Sequence, residues 1–285
     1  MGMLKASAKR VLRMSGPVLV RRSPGRAVVL CYHSIHPSNS FRSATPTLFD
    51  EHLAWITRNC NVVPFGGILS AAERPSQRPT VSITFDDGHE DNHRFALSSL
   101  KHHGLSATFF LTIGLMEKDP DVVDRFKRLR RSDYDAIRPM EWGQVRELID
   151  EGMDVGTHSY SHRNFVRLER SELRHELVAA KQVIEDRLSR QVTSFAYPFG
   201  KPRIHFTDEA AEMVRGAGYR LAAVTVKRGV RISDPPLRVP RMFVTHDSVE
   251  ELREKILGYW DAVGILQEHS PLWLSRLVSP MDFAY

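Results

Sequence analysis

Thr80-Val81-Ser82-Ile83-Thr84-Phe85-Asp86-Asp87-Gly88 is a β-branched and aromatic run that stops abruptly at two carboxylates and a glycine. Its first six residues have the composition of a buried strand, and Gly88 permits the tight turn that must follow. Adjacent acids at a strand's C-terminal end face different directions, so one can hold a cation while the other faces a reactant. An acidic turn in which Asp87 caps a helix would give the same stretch.

Runs of the same kind recur on either side. Strands are predicted at about 27 to 32, 107 to 112, 153 to 156, 193 to 197, 219 to 226 and 237 to 244, which with 80 to 85 makes about seven. Helical stretches separate them. From Ser171 to Ser189 the apolar residues Leu173, Leu177, Ala180, Ile184 and Leu188 step by four, three, four and four, forming one core-facing stripe. Further helices are expected from Leu48 to about Asn59, from Glu141 to Asp150, and after a Thr207 cap, with Asp208 and Glu209 in the first turn and Gly216 and Gly218 at the end. Asp247-Ser248-Val249-Glu250 has capping-box spacing and opens a helix to Leu257. Strands alternating with helices predict an α/β fold with a parallel sheet, and about seven such units predict a (β/α) barrel, whose active sites lie at the C-terminal ends of the strands.

At 42% hydrophobic and 26% charged, the 285 residues suit a soluble globular chain of one large domain or two small ones. Cys31 and Cys60 are the only cysteines, so no disulfide framework holds it together. The net charge of +6 is unevenly placed. Lys5, Lys9, Arg10, Arg13, Arg21, Arg22 and Arg26 fall in residues 1 to 26 with no acid, which leaves 33 basic against 34 acidic side chains in the rest. A near-neutral body gives no support for a groove that tracks nucleic acid.

Three segments follow from this: a basic arm at 1 to 26, a barrel at 27 to 258 and a C-terminal extension at 259 to 285. The arm has no apolar stretch of secretory-signal length. It reads either as a solvated tail or as a peripheral contact with an anionic membrane surface. The expected location is accordingly cytoplasmic or at the inner membrane face. Between Glu117 and Arg138 the basic cluster Arg125-Phe126-Lys127-Arg128-Leu129-Arg130-Arg131 reads as an inserted helix or loop, either a lid over an anionic glycan or a solvated charged surface.

After the fourth strand comes His158-Ser159-Tyr160-Ser161-His162. On a helical turn this spacing puts two imidazoles on one face within about 6 Å, close enough to share a metal ion; two surface histidines in a polar loop are the alternative. One carboxylate and two histidines are a hard-plus-borderline ligand set that leaves positions for water and substrate. After the fifth strand, Phe195-Ala196-Tyr197-Pro198-Phe199-Gly200 is an aromatic, proline-stiffened loop that could wall a substrate groove through Tyr197 and Pro198.

Over about residues 27 to 245 the chain resembles the polysaccharide deacetylase family, the NodB-homology carbohydrate esterases. Thr84-Phe85-Asp86-Asp87-Gly88 matches its first motif and His158-Ser159-Tyr160-Ser161-His162 its second. The resemblance implies a deformed (β/α) barrel and a divalent metal, usually zinc, held by Asp87, His158 and His162. It also implies Asp86 as general base and an oxyanion contact from the Phe199 backbone N–H. The opening Leu30-Cys31-Tyr32-His33 is similar to the branch acting on exopolysaccharide and lipid-linked glycans. The expected activity is removal of N-acetyl groups from a glycan, with an O-acetyl ester, a cyclic amide or non-catalytic glycan binding as alternatives.

Two departures matter. The third motif normally begins with an Arg where this chain has Ala196. Arg241, in Val239-Pro240-Arg241-Met242-Phe243, lies in the last predicted strand, and its guanidinium either takes over the orientation of Asp86 through a bidentate fork or forms an unrelated barrel-wall salt bridge. The late motif that supplies a histidine general acid has no clear counterpart, which leaves His246 and His33 as candidates.

Overall fold

The computed structural model describes residues 25–74, 76–130 and 138–270. Seven parallel strand positions are present in the predicted order: β1 (Ala27–Tyr32), β2 (Thr80–Phe85), β3 (Thr108–Leu111), β4 (Asp154–Thr157), β5 (Ser194–Ala196), β6 (Leu221–Val224), and a last position split into β7 (Val239–Pro240) and β8 (Met242–Phe243). Each pairs in parallel with its neighbour. The mostly parallel sheet is nearly closed into a barrel.

Closure runs through a single residue. β7 pairs with β6 through Val239↔Ala223 and Pro240↔Val224, whereas β8 pairs with β1 through Leu30↔Met242 and Cys31↔Phe243. The strand predicted at 237 to 244 therefore changes partner at Arg241. The deformation lies elsewhere, where the short strand Asn61–Val62 takes the first half of β2 and β3 pairs only with its end, at Thr84 and Phe85.

Period-two alternation sorts the side chains. Val28, Leu30, Tyr32, Val81, Ile83 and Phe85 point outward into the helix-covered core. Ala27, Val29, Ala196, Ala223 and Val239 point inward, where Phe110 fills the lumen and Phe65 and Ile68 join the same cluster. Gly156 is required here, since a Cβ would lie 2.5 Å from the Phe110 ring. That ring in turn carries the Arg241 guanidinium, 5.4 Å from its centroid.

The helices match in place, with boundary shifts. The long one is Arg170–Leu188, opened by a Glu169/Glu172 capping box and ended by Ser189 in the left-handed region. The later capping box is formed by Ser248 and Glu251, one residue beyond the expected Asp247 and Glu250. Asp247 is instead tied to Lys255. The basic stretch after Glu117 forms the helix Pro120–Arg130, which buries Val122 and Phe126 against Leu115 and is therefore more than a charged surface.

The segment boundaries need one correction. Arg26 belongs to the body, holding Asp261 by two 2.5 Å bonds at the start of the helix Asp261–His269. Residues 1 to 24 of the arm and 271 to 285 of the extension lie outside the described residues. No helix among the described residues is long and apolar enough to cross a membrane.

Candidate active site

Every candidate is delivered by the end of a strand, as a barrel requires. Asp86 and Asp87 leave β2 with Asp87 at φ 74°, which turns the two carboxylates apart. Asp86 faces the lumen. Arg241 Nη1 and Nη2 donate to its two oxygens at 2.7 Å each, and Nη1 also reaches Thr84 Oγ1 at 3.2 Å. Burial alone would raise the Asp86 carboxyl, but the Arg241 charge, His158, the Arg241 hydrogen bonds and His33 outweigh it and hold the group well below the usual carboxylate range. Arg241 is wholly buried, and the Asp86 charge keeps it protonated against that burial.

Ala196 and Arg241 are two parts of one arrangement. Small Ala196 lines the lumen beside Phe110, the ring over which Arg241 lies. Its carbonyl accepts a 2.8 Å bond from His158 Nδ1, which leaves Nε2 with the lone pair.

His158 Nε2 lies 3.7 Å and His162 Nε2 3.4 Å from Asp87 Oδ1. Two ligands bonded at about 2.0–2.2 Å to one ion leave separations of this size. All three residues are buried, and their donor atoms fall within 4.8 Å of one another. A carboxylate oxygen and two imidazole nitrogens at these spacings fit a zinc-class ion.

The histidines do not meet on a helical turn. Residues 158 to 162 form a loop, with Ser159 at φ 64° and His162 at φ 54°. These left-handed conformations are costly for residues with a Cβ, and buried hydrogen bonds secure them. Ser159 Oγ accepts from His162 N at 3.0 Å, Glu176 Oε2 from Ser161 N at 2.8 Å, and Leu111 O from His158 N at 2.7 Å. Glu176, on the helix Arg170–Leu188, thus anchors the loop from below.

The loop after β5 differs from expectation. Tyr197 is stacked on Phe206 at 3.8 Å and packed beside Phe195 in the helix-facing core, and Pro198 is buried. The Tyr197 side chain therefore cannot wall a groove. Phe199 occupies that place, with φ 59° and its ring 4.7 Å from that of His162, while Phe126 approaches the same imidazole at 5.4 Å.

Two further contacts had no motif to announce them. His89 Nε2 donates to Asp87 Oδ2 at 3.2 Å and orients the carboxylate from behind. Cys31 Sγ lies 3.4 Å from Asp86 Oδ2. Of the two candidate acids, His33 has a ring nitrogen within 4.8 Å of the Asp86 carboxylate, whereas His246 is exposed beyond β8, its N–H bonded to Ser43 O.

Three buried potential metal ligands and an arginine-held carboxylate lie together at the mouth of a (β/α) barrel, and the sequence comparison places that arrangement in a family. The polysaccharide deacetylase family model matches residues 73–222, and the chain belongs to that family. It is 26% identical over 206 residues, 71% of its length, to the Bacillus subtilis (strain 168) protein YxkH, which is provisionally named a polysaccharide deacetylase. It is 28% identical over 125 residues, 44% of its length, to a peptidoglycan-N-acetylglucosamine deacetylase of Bacillus cereus. The chain spans 65% and 37% of the lengths of these two relatives. In fold it is similar to the Streptococcus pyogenes deacetylase PplD, solved in complex with acetate, with a TM-score of 0.69 and 20% identity over 82% of this chain and 99% of that one.

Proposed function

We propose that this chain is a metal-dependent hydrolase that removes N-acetyl groups from a glycan. The observation that carries the reading is the placement of Asp86, a buried carboxylate held ionised by Arg241 beside the Asp87, His158 and His162 triad. Asp87, His158 and His162 would hold a zinc-class ion, which would supply Lewis acidity toward an acetyl carbonyl and a bound water. Asp86 Oδ2, 3.9 Å from His158 Nε2, takes the proton of the attacking water.

The Phe199 N–H is the oxyanion donor in this reading, an interaction worth roughly 3 kcal/mol. His33, seated between the Phe41 and Phe243 rings, returns a proton to the leaving amine. Acetate release from N-acetylglucosamine oligomers, compared with acetylated xylan, tests the proposal. Release from the first with loaded protein supports it, and release from xylan alone would make the enzyme an O-acetyl esterase.

The substrate is an acetylated or lipid-linked glycan, met at the inner face of a membrane by the basic arm. The support is charge alone, at about 1 kcal/mol per basic residue near an anionic surface. With Arg26 committed to Asp261, six basic residues of the arm remain for such contact. Sedimentation with anionic vesicles, with and without residues 1 to 24, decides this.

A further inference from the structure

A second set of potential ligands faces the opposite side of Asp86. Cys31 points into the lumen from the end of β1, and its Sγ lies 3.4 Å from Asp86 Oδ2 and 4.0 Å from His33 Nδ1. All three donor atoms lie within 4.8 Å of one another, and all three residues are buried. Bond lengths of about 2.3 Å to sulfur and 2.0–2.1 Å to nitrogen or oxygen place tetrahedral ligands about 3.5 Å apart, so the trio needs only small adjustments to close on one ion.

We propose that Cys31, His33 and Asp86 form a second site, inhibitory and selective for soft divalent cations such as Zn²⁺ or Cd²⁺. The thiol proton leaves to solvent as the sulfur–metal bond forms, and nothing is oxidised or reduced. A thiolate favours Zn²⁺ and Cd²⁺ over Mn²⁺ or Mg²⁺.

Arg241 sets the order of filling. Its charge already sits on Asp86, so a dication here meets a cation that the Asp87, His158 and His162 site does not touch directly. The second equivalent therefore binds more weakly than the first. Once bound it occupies Asp86 and His33 together, and this loss of activity rests on the deacetylase reading above.

The two sites are separable because only the second contains sulfur, and the chain has one other cysteine. Metal-stripped protein titrated with Cd²⁺ should show no thiolate-to-metal charge-transfer absorbance in the first equivalent and a growing band in the second. The band should vanish in Cys31→Ser and persist in Cys60→Ser. No band in excess Cd²⁺, or a band that survives in Cys31→Ser, overturns the proposal. Unaltered protein gives an independent measurement: excess Zn²⁺ should suppress acetate release where equal Mn²⁺ does not, and equal suppression by both also overturns it. Cys31→Ser should need on the order of 10- to 100-fold more Zn²⁺ for the same fractional inhibition. If no metal supports acetate release, the deacetylase reading fails, while the Cd²⁺ band still decides the site.

Discussion

Arg241 and Asp86 are joined by two parallel hydrogen bonds of 2.7 Å, one to each carboxylate oxygen, with Arg241 wholly buried and Asp86 almost so. They lie 155 residues apart in the chain. The guanidinium fixes the carboxylate plane, and an ammonium, which presents a point charge, cannot.

Arg241→Lys should therefore lower turnover by on the order of 10²-fold, the scale of a misplaced reacting group, with metal content unchanged. Arg241→Met should cost about 3–5 kcal/mol of stability, because it leaves a buried carboxylate without its counter-charge. In Arg241→Gln the effect of burial is no longer opposed by the guanidinium, so the Asp86 carboxyl rises and the acid limb of kcat/KM moves to higher pH. Parent-like turnover in Arg241→Lys would remove Arg241 from this role.

Asp86→Asn should abolish acetate release by at least about 10²-fold yet still bind one metal equivalent. His158→Ala and His162→Ala should lose that equivalent. Metal analysis after gel filtration separates the classes, and equal loss in all three would make Asp86 a ligand.

His89→Ala leaves the triad in place but removes the His89 hydrogen bond to Asp87 Oδ2. A metal titration should show affinity weakened by about 10- to 100-fold, with activity restored at high metal concentration. Chelation of the parent should abolish acetate release, and Zn²⁺ should restore it.

His52 gives a stability test remote from the chemistry. Its Nε2 donates to Asp247 O at 2.9 Å, so Nδ1 accepts from Tyr32 OH at 3.1 Å, and the ring is neutral. Burial lowers its pKa from 6.5 to about 4. The unfolded chain then takes up a proton that the folded chain refuses as pH falls from 6.5 to 4. Stability is full above that window and declines through it, by about 3 kcal/mol in total. Denaturant unfolding at several pH values should show this slope, and His52→Gln should flatten it.

All seven strand positions were legible because barrel strands are buried on both faces and read as continuous apolar runs. The break at Arg241 was not, since a change of partner leaves residue types untouched. Spacing brought His158 and His162 together for the wrong reason, because a loop with two left-handed residues spans five positions as compactly as a helical turn. Tyr197 was misplaced although parity offered a signal: it shares a face with Phe195, opposite to Ala196. The contacts of Asp86 with Cys31 and of Asp87 with His89 depend on inter-strand register and side-chain direction, which a single sequence does not encode locally.

The partner switch at residue 241 bears on when a growing chain becomes competent. β1 emerges first and β8 last, and their pairing is the most distant in sequence of any in the sheet. Asp86, Asp87, His158 and His162 can all be synthesised while Asp86 still lacks its guanidinium and the ring remains open. A ribosome-bound chain that stops short of residue 241 therefore holds a complete set of triad ligands and an unguarded carboxylate. On the proposed deacetylase reading, full turnover should therefore follow the meeting of the first and last strands rather than the synthesis of the triad.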